Sequence, residues 1–553
     1  MNPSARVVRS RRPLNRAITI VSTWIFPTSI VVATLIFALL LAAPATVFAQ
    51  AYFGTVSGEL TDASGAVVEG AKVVLIDQQK GFTFNTTSES SGRYLFRSIP
   101  PGLYVVSAEA KGFGKTLSGR FKVDINENAT TNLTLKIAGP SQTVQVTGQA
   151  QAIQTGDAET GQVVNRRFIN DLPLIDRSVI SLVNLAPGVT EMDDQCPEPG
   201  CTGTNFASNG SRGAQADILT DGASVTNSEP NGGVTQATYL PSPEAVEEFK
   251  VEQTNFSAEY GFSGGSVVNM VTRSGTNKFH GSGYDFVRDQ IFDANNWFND
   301  HYGVPIAPLR RNNYGFTIGG PIVTNKTFFF FDFDALRATT MSTVQAGVPS
   351  DLMRAGNFGE VCTQQGGSFD STGLCNVQAG QLWDPYSGTY DPDDGGADRA
   401  TFIPYNNIAN YISPGSPNLP ANLEPAPGVA GNLIDPVAKT MIGLFPEPNI
   451  TSPNGIYDNW IGSGPNHSYN WQFDIKLDQR FSQKNLMSVK YSQQYSHGDS
   501  FNCFKNFTDP CEGGPNWTNA HLFAINDTHT FSPTLLLNTT LGFTRGGVAH
   551  RRL

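Results

Sequence analysis

The most constraining feature of the sequence is a strict alternation of apolar and polar residues in its C-terminal part. From Tyr469 to Asp478 every odd-numbered position is apolar and every even-numbered position is polar. A repeat of two residues places one set of side chains on each face of an extended chain, so this segment is predicted to be a β-strand with one apolar face. Residues 487–492 and 535–543 repeat the pattern. The chain is therefore predicted to be mainly β in this region, with antiparallel strands.

Alternation alone does not say what the apolar face contacts, because it faces a core in a soluble sandwich and lipid in an outer-membrane barrel. The N-terminus favours the barrel. Five arginines, at positions 6, 9, 11, 12 and 16, precede an apolar run over 30–42, and Val47-Phe48-Ala49 fits the small-residue cleavage pattern. We expect residues 1–49 to be an export signal that is cut before Gln50. An uncleaved membrane anchor is the alternative interpretation.

Composition excludes several classes of function. The formal net charge of −11 falls to −16 once the five arginines of the signal are removed, and an acidic chain is a poor partner for nucleic acid. Hydrophobic residues make up 39% of the chain, which is enough apolar mass to build cores and argues against general disorder. No motif in the sequence points to a cofactor.

Export also explains the cysteines, which fall in three close pairs. The pairs are Cys196 with Cys201, Cys362 with Cys375, and Cys503 with Cys511. An even number of cysteines in an exported chain predicts local disulfides across loops. A zinc site would need C-x-x-C pairs or nearby histidines, so no metal site is expected.

Residues 50–138 are predicted to form a seven-stranded β-sandwich, since short alternating runs follow one another at turn-rich intervals. The runs are 56–62, 71–77, 81–88, 92–99, 102–110, 119–125 and 131–137. Within them, Ser90-Ser91-Gly92-Arg93-Tyr94-Leu95-Phe96 and Pro100-Pro101-Gly102-Leu103-Tyr104 resemble the signature of carboxypeptidase-regulatory-like domains. That resemblance implies a transthyretin-like, carbohydrate-binding-like fold. It singles out no ligand residue.

Residues 139–154 form a polar linker with one β-prone run at its centre. The run consists of Gln142, Thr143, Val144, Gln145, Val146 and Thr147. A flexible strand of this kind is able to add to the edge of a partner's sheet through main-chain hydrogen bonds. The run resembles the TonB box of outer-membrane receptors, with Gln142 where the family usually has an acid. A last strand of the sandwich or a plain linker is the alternative interpretation.

Residues 155–277 resemble the plug domain of TonB-dependent transporters in several blocks that follow the family's order. Among them are Ile218-Leu219-Thr220-Asp221-Gly222 and Glu244-Ala245-Val246-Glu247-Glu248-Phe249. Glycines here are expected to let the backbone pass closely inside a crowded lumen. Ser263 also fits G-x-S-x-G, the nucleophile elbow of α/β-hydrolases, but a strand rather than a helix is predicted after it, so no catalytic residue is assigned.

Residues 278–553 resemble the opening strands of the Oar-like transporter subfamily. The resemblance is carried by runs such as Phe279-His280-Gly281-Ser282-Gly283-Tyr284 and Gly319-Gly320-Pro321-Ile322. A long extracellular loop is predicted over 335–468. It contains Asp384, Asp391, Asp393, Asp394 and Asp398, which we expect to be solvated because their spacing does not suit a calcium loop.

These features predict a mainly β outer-membrane protein that is not an enzyme. It would have a sandwich, an α+β plug and the first strands of a large antiparallel transmembrane barrel. Only about seven barrel strands are counted, fewer than a closed barrel needs, so the chain is expected to be part of a longer receptor. The resemblance implies a periplasmic TonB-type partner, outer-membrane lipid around the barrel, and an extracellular ligand, whether oligosaccharide, peptide or chelate. A secreted or surface-attached adhesive, carbohydrate-binding β protein is the alternative.

Overall fold

The structure is a computed structural model of the 553-residue chain. It describes residues 53–137, 144–145, 160–191, 206–212, 215–227, 237–261, 263–295, 297–302, 306–385, 387–390, 397–399, 401–412, 433–451, 455–506, 508, 514–532 and 535–550. The predicted export signal lies outside the described residues. No helix in these ranges is both long enough and apolar enough to cross a membrane.

The N-terminal part of the described chain is a β-sandwich of two sheets, named the sandwich from here on. Its strands are Gly54–Asp62 (β1), Lys72–Asp77 (β2), Thr83–Thr87 (β3), Arg93–Ile99 (β4), Gly102–Glu109 (β5), Thr116–Leu117 (β6), Phe121–Val123 (β7), Asn128–Thr130 (β8) and Leu133–Leu135 (β9). One sheet has the order β4-β1-β8 with β9 also on β1, and the other has β6-β5-β2-β3 with β7 on β5. Each predicted run contains one strand, and β6 and β8 are too short to show alternation.

Residues 160–277 form an α+β unit, named the central domain. Its strands are Thr160–Asn165 (β11), Val189–Glu191 (β12), Phe206–Ser208 (β13), Ala216–Thr220 (β14), Ala223–Ser224 (β15), Val246–Thr254 (β16) and Ser266–Thr272 (β17). Five of them make a mixed sheet in the order β11-β16-β17-β14-β15, in which β14 and β17 are parallel. A helix, Arg166–Asp171, starts at Asn165, whose side chain accepts the amides of Arg167 and Phe168. A 3-10 helix follows at Val179–Leu185.

The C-terminal half is built on one antiparallel sheet, named the large sheet. In the described ranges it has seven strands: His280–Asp289 (β18), Leu309–Val323 (β19), Thr327–Ala346 (β20), Trp460–Ser482 (β23), Asn485–Ser500 (β24), Gly514–Ser532 (β25) and Leu535–His550 (β26). They pair in chain order, so β18 and β26 are its two edges and the described sheet is not closed. The open antiparallel sheet agrees with the expected first strands of a large barrel.

The connections of the large sheet differ in length at its two ends. At one end β19 joins β20 and β23 joins β24 through turns at residues 324–326 and 483–484. At the other end the connections cover 290–308, 347–459 and 501–513. Outer-membrane barrels place short turns in the periplasm and long loops outside the cell.

The segment 347–459 is named the long loop, and the predicted limits of 335 and 468 are wrong. Strands β20 and β23 extend further than predicted, and Ala346 pairs with Trp460 at the top of their ladder. The extra residues are rich in Thr, Ser and Gly, so main-chain hydrogen bonds rather than side-chain alternation hold them in the sheet. The loop has strands Gly388–Tyr390 (β21) and Ala397–Arg399 (β22) and helices Asp351–Arg354, Gly359–Gln364 and Pro436–Ile442. Its 3-10 helices are Gln378–Gly380, Pro404–Asn406, Ile408–Asn410 and Gly455–Tyr457. The shorter 290–308 connection has the 3-10 helix Gln290–Phe292 and the α-helix Trp297–Tyr302.

Candidate functional site

Strand β23 of the large sheet buries its polar face and exposes its apolar face. On β23, Gln472, Asp474, Lys476 and Asp478 are almost fully buried, whereas Ile475 and Leu477 are 39% and 40% exposed. A soluble sheet shows the opposite arrangement, since its apolar face makes the core. The apolar face of β23 is therefore the outward one, and the polar face is covered by the central domain.

A tight hairpin carries one acid of the central domain to that polar face. Asp221 and Gly222 are the two residues between β14 and β15, and both have positive φ, of +47° and +79°. A two-residue turn with two positive φ values is the hairpin for which Asp-Gly is a preferred sequence. The turn places the Asp221 carboxylate, which is 1% exposed, against the large sheet.

Two lysines of the large sheet hold this carboxylate. Lys476 of β23 and Lys490 of β24 stand directly opposite each other, which is unfavourable for like charges. Lys476 Nζ lies 2.8 Å from Asp221 Oδ1, and Lys490 Nζ lies 3.2 Å from Asp221 Oδ2. Lys490 also lies 3.1 Å from Asp474 Oδ1. We name Asp221, Asp474, Lys476 and Lys490 the charge cluster, in which two positive and two negative groups balance.

Two acids of the large sheet are paired in the same unfavourable way. Asp332 of β20 stands opposite Asp474 of β23. The central domain supplies a donor to each, because Ser242 Oγ donates to Asp332 Oδ2 at 2.9 Å and Tyr239 OH donates to Asp474 Oδ2 at 2.7 Å. The central domain is therefore complementary to the large sheet at both of these like-charge pairs.

The electrostatics favour a charged Asp221. Burial alone would raise the pKa of its carboxyl, but the ammonium groups of Lys476 and Lys490 outweigh burial and lower the pKa to about 2. Thr272 also donates to this carboxylate through its hydroxyl and its main-chain amide. A buried carboxylate with this many donors stays ionised throughout the physiological pH range.

Nearer the long-loop end, a second ionic contact is internal to the central domain. Glu244 accepts from Arg166 and, at 3.1 Å, from Arg177. The Arg177 guanidinium lies 3.8 Å from the centroid of the Phe286 ring on β18, and Arg311 of β19 pairs with Asp176 at 2.8 Å. These contacts attach the part of the central domain nearest the long loop to β18 and β19.

The close fit of the backbones depends on glycine at two positions. A Cβ on Gly275 would lie 2.3 Å from the carbonyl oxygen of Phe329, and one on Gly542 would lie 2.8 Å from the Cβ of Ala223. Both glycines are at contacts between the central domain, or its exit, and the large sheet. Glycine therefore serves close backbone approach here, as the sequence suggested.

The chemistry available at this interface is non-covalent. Breaking a buried ion pair leaves charges that water solvates readily, so the net free energy of such pairs is small compared with that of an apolar core. Within the described residues, no cluster of three or more His, Cys, Asp or Glu side chains is suited to hold a metal ion.

The predicted docking run is described only in part. Val144–Gln145 (β10) pairs in parallel with Thr116–Leu117 at the edge of one sandwich sheet. Gln142, Thr143, Val146 and Thr147 lie outside the described residues. Val144 and Gln145 are thus part of an edge strand of the sandwich, and the docking role of the run stays a prediction.

The cysteines and Ser263 have structural roles where the chain is described. Cys362 and Cys375 form the expected disulfide within the long loop, and Cys503 is also disulfide-bonded. Cys196, Cys201 and Cys511 lie outside the described residues. Ser263 Oγ contacts the carbonyl oxygens of Gln215 and Ser266, and strand β17 follows it. This is a loop-stabilising hydroxyl, and the helix of a nucleophile elbow is replaced by a strand.

The expectation that the acids of the long loop are all solvated is wrong for Asp384. Its side chain is buried and accepts from the Tyr411 hydroxyl at 3.0 Å. The loop folds around buried Gln381 and Asn406, which hydrogen-bond to each other at 3.0 Å, so it has a polar interior of its own. Asp391, Asp393 and Asp394 lie outside the described residues, and only the backbone of Asp398 is described, in β22.

Sequence reasoning did not identify the charge cluster as a site. One signal was present, because Asp474, Lys476 and Asp478 all lie on the face opposite a lipid-facing apolar set. Charges on that face point to the interior and need partners there. The sequence did not identify Asp221 as the partner of Lys476, since the two residues are 255 positions apart in the chain.

Comparison with protein families gives two matches. The model of the outer membrane beta barrel domain matches residues 271–552, slightly more than half of the chain. The model of the carboxypeptidase regulatory-like domain matches residues 55–136, which is the sandwich.

Individual relatives are more distant. The TonB-dependent transporter Oar of Myxococcus xanthus is 27% identical over 258 residues, which is 44% of this chain but only 23% of that protein's length. Among solved structures, the outer membrane transporter YddB from Escherichia coli covers 69% of this chain and 38% of its own, at 11% identity and a TM-score of 0.40. A ferric enterobactin receptor mutant of Pseudomonas aeruginosa covers 68% of this chain and 39% of its own, at 13% identity and a TM-score of 0.33.

Proposed function

Because the chain belongs to the outer membrane beta barrel domain family and is an outer-membrane protein, we propose that it is part of a TonB-dependent, Oar-like transporter. In this proposal the central domain is the plug, the large sheet is part of the barrel wall, and the long loop contributes to capture of an extracellular ligand. The partner in the periplasm is a TonB-type protein, which docks on residues 142–147 and supplies the energy for uptake. Residues 1–49 direct export.

The observation that carries the proposal is the burial of the polar face of β23 and of its charged neighbours Asp332 and Lys490 by the central domain. A wall with apolar residues outside and charges inside suits a membrane, and the interior charges need a partner that fills the lumen. The central domain supplies it through Asp221, Tyr239 and Ser242. An adhesive soluble protein has no use for this inverted arrangement.

The position of the sandwich also supports the proposal. It contacts the end of the large sheet that has short turns: Lys80 Nζ lies 2.9 Å from Asp478, and Asn85 contacts Gln483 at 3.1 Å. Short turns are periplasmic in such barrels, so the sandwich and the linker that follows it would lie in the periplasm. That is the compartment from which a TonB-type partner acts.

The test uses main-chain hydrogen bonding. If residues 142–147 add as a strand to the partner, Val144→Pro with Val146→Pro removes two amide donors and should weaken binding of the full chain to the periplasmic domain of TonB by about tenfold or more. Calorimetry on the detergent-solubilised protein measures this affinity. The matched control is Val144→Ala with Val146→Ala, which keeps both amides and should bind nearly as well as the wild type.

Two results would contradict the proposal. Equal binding by the proline and alanine pairs would show that residues 142–147 are not the docking strand. Recovery of the full chain as a detergent-independent, water-soluble monomer would contradict the barrel itself, since the exposed face of β23 would then have no lipid to contact.

A further inference from the structure

The sandwich is joined to the central domain by a polar socket that the transport proposal does not use. Strand β16 has one apolar face, with Phe249 and Val251 in the core of the central domain. Its other face carries Glu248, Lys250 and Glu252, whose side chains are 0%, 4% and 0% exposed. Three adjacent ionisable side chains are buried on one face of a strand only when another polar surface covers them.

The covering surface is residues 122–127 of the sandwich, which are the end of β7 and the loop between β7 and β8. Lys122 forms an ion pair with Glu248, and the Ile125 amide donates to the same carboxylate at 2.7 Å. Asn126 Nδ2 donates to Glu252 Oε1 at 2.8 Å and also to the Tyr260 hydroxyl. The loop therefore contacts two of the three charged residues of β16 through side chains and main chain together.

Lys250 adds a hydrogen bond in which β16 is the donor and the sandwich is the acceptor. Its Nζ donates to the carbonyl oxygen of Asn126 at 3.3 Å. Asn126 has a φ of +50°, a conformation that Asn tolerates better than most residues, and this turns its side chain and its carbonyl toward β16. One apolar side chain, Ile125, is fully buried at the tip and packs against Val271 of β17 and Phe53.

The sandwich is also attached to the large sheet. Arg480 of β23 donates to the carbonyl of Thr83, and its guanidinium lies 4.9 Å from the centroid of the Phe82 ring. Phe82 in turn contacts Phe328 of β20, with ring centroids 5.6 Å apart. The sandwich thus bridges the wall and the central domain.

The path of the chain determines which elements bear tension that is applied to the linker. The linker leaves the sandwich and enters the central domain at β11, which pairs with β16 along the edge next to the socket. Tension on the linker therefore acts on the sandwich from one side and on β11 from the other. Both elements bind β16, so the socket opposes the removal of β16 and β11 from the closed position.

We propose that the sandwich is a strap that holds the central domain closed, and that residues 122–127 must leave the socket on β16 before tension on the linker can open the lumen. The strap rests on the proposed transport function, because it assigns the sandwich a role in that opening. A polar socket suits a strap, since its charged groups are rehydrated on release and an apolar interface would have no such compensation. The wall contacts keep the released sandwich close by.

The experiment applies the force directly, so it does not depend on TonB or on the identity of the ligand. The full chain is held in a nanodisc and pulled in optical tweezers through a handle that replaces Ala150 in the linker. Ile125→Cys with Val271→Cys is compared in the oxidised and reduced forms, because these two side chains are in contact across the socket. Wild-type protein treated with the same oxidant and reductant controls for the native cysteines.

The strap predicts that release of the sandwich is the first force step in the reduced pair and is missing in the oxidised pair, with opening shifted to higher force. A second pair, Val73→Cys with Ala108→Cys, links β2 to β5 inside the sandwich and should leave the first step unchanged. If the oxidised Ile125–Val271 pair lets β11 leave at the same force as the reduced pair, the strap is refuted. The transport proposal would survive that result, since it is tested by TonB binding.

Point variants provide a second test that does not depend on whether the cross-linked protein folds. Asn126→Asp places a carboxylate beside Glu252 while its backbone preference stays similar, and should speed release of the sandwich at constant force by about tenfold or more. Lys115→Met, which removes an exposed lysine from the same domain, should leave the release rate unchanged. Equal release rates for Asn126→Asp, Lys115→Met and wild type would overturn the strap.

Discussion

The sandwich and the large sheet are made of strands with the same period and opposite environments. In β4, Tyr94 and Phe96 are buried while Arg93 and Arg97 are exposed. In β23 the charged residues are buried while the apolar residues face outward. The comparison teaches that a period of two specifies an extended strand with two unlike faces, and that the surrounding medium decides which face is the inner one.

The largest expected effect comes from disturbing the charged interior of the large sheet. Asp221→Asn keeps the size and the backbone preference of the residue but removes the charge between Lys476 and Lys490. Breaking a buried ion pair on one side costs about 3–5 kcal/mol, so the central domain should lose protection against hydrogen exchange. Exchange of the β14 and β17 amides in the detergent-solubilised chain measures the loss.

A second variant separates charge imbalance from loss of packing. Asp221→Asn combined with Lys476→Met removes one charge of each sign and leaves Lys490 paired with Asp474. Protection of the same amides should recover substantially, because the remaining charges are matched. If the double variant is as poorly protected as the single one, the cluster stabilises the closed state through shape and not through charge.

The outer faces of the two regions give a matched pair of substitutions. Leu95 in the sandwich and Ile475 in the large sheet are each 39% exposed. Ile475→Arg places a charge in hydrocarbon and should cost about 2–4 kcal/mol if the residue lies near the bilayer midplane. Leu95→Arg faces water and should change stability by less than about 0.5 kcal/mol.

Denaturant titration of the chain folded into lipid vesicles measures both variants under one condition. A similar small effect of the two arginines would mean that Ile475 contacts water. The inverted arrangement of β23 would then need another explanation than a membrane.

The smallest effect concerns the surface where the sandwich meets the central domain. Burial raises the pKa of Glu248 from 4.5 to about 8, although Lys122 opposes the shift. A carboxyl whose folded pKa is raised contributes stability that is fully present below pH 4.5 and is lost as the pH rises through about 8. The ion pair with Lys122 needs the ionised carboxylate and offsets only part of this loss, so the contact between sandwich and β16 should weaken over that range by at most about 1.4 kcal/mol per pH unit.

Hydrogen exchange of the β16 amides, corrected for the intrinsic effect of pH, detects this weakening. Glu248→Gln should flatten the dependence, while the residual slope reports Glu127, whose pKa burial also raises. A slope that is unchanged in Glu248→Gln would show that another group controls the contact.

Much of the fold could be read from the sequence because it depends on local patterns. The seven runs of the sandwich and the strands around Tyr469–Asp478 are recognisable from alternation and turn residues. Near the long loop the ends of β20 and β23 lack a regular alternation of apolar and polar side chains. The predicted limits of the long loop were wrong for this reason. The burial of Asp384 was missed for a related reason, because it depends on a contact with Tyr411 that no local sequence pattern predicts.

The candidate site was much less predictable than the fold. Its members are Asp221, Tyr239, Ser242, Asp332, Asp474, Lys476 and Lys490, which come from the central domain and from three strands of the large sheet. Each is an ordinary polar residue in its own segment. They become a site only when the strands align Lys476 with Lys490, and Asp332 with Asp474, and the Asp221 hairpin enters between them.

By itself the sequence determined most of the extended segments, and that strands such as β23 have two unlike faces. These are consequences of side-chain period and backbone preference, which act over a few residues. Only the tertiary structure decided which face is enclosed, which charges balance one another and where the sandwich attaches. Those outcomes depend on contacts between residues hundreds of positions apart, since the free energy of a buried charge is set by whatever the fold places beside it.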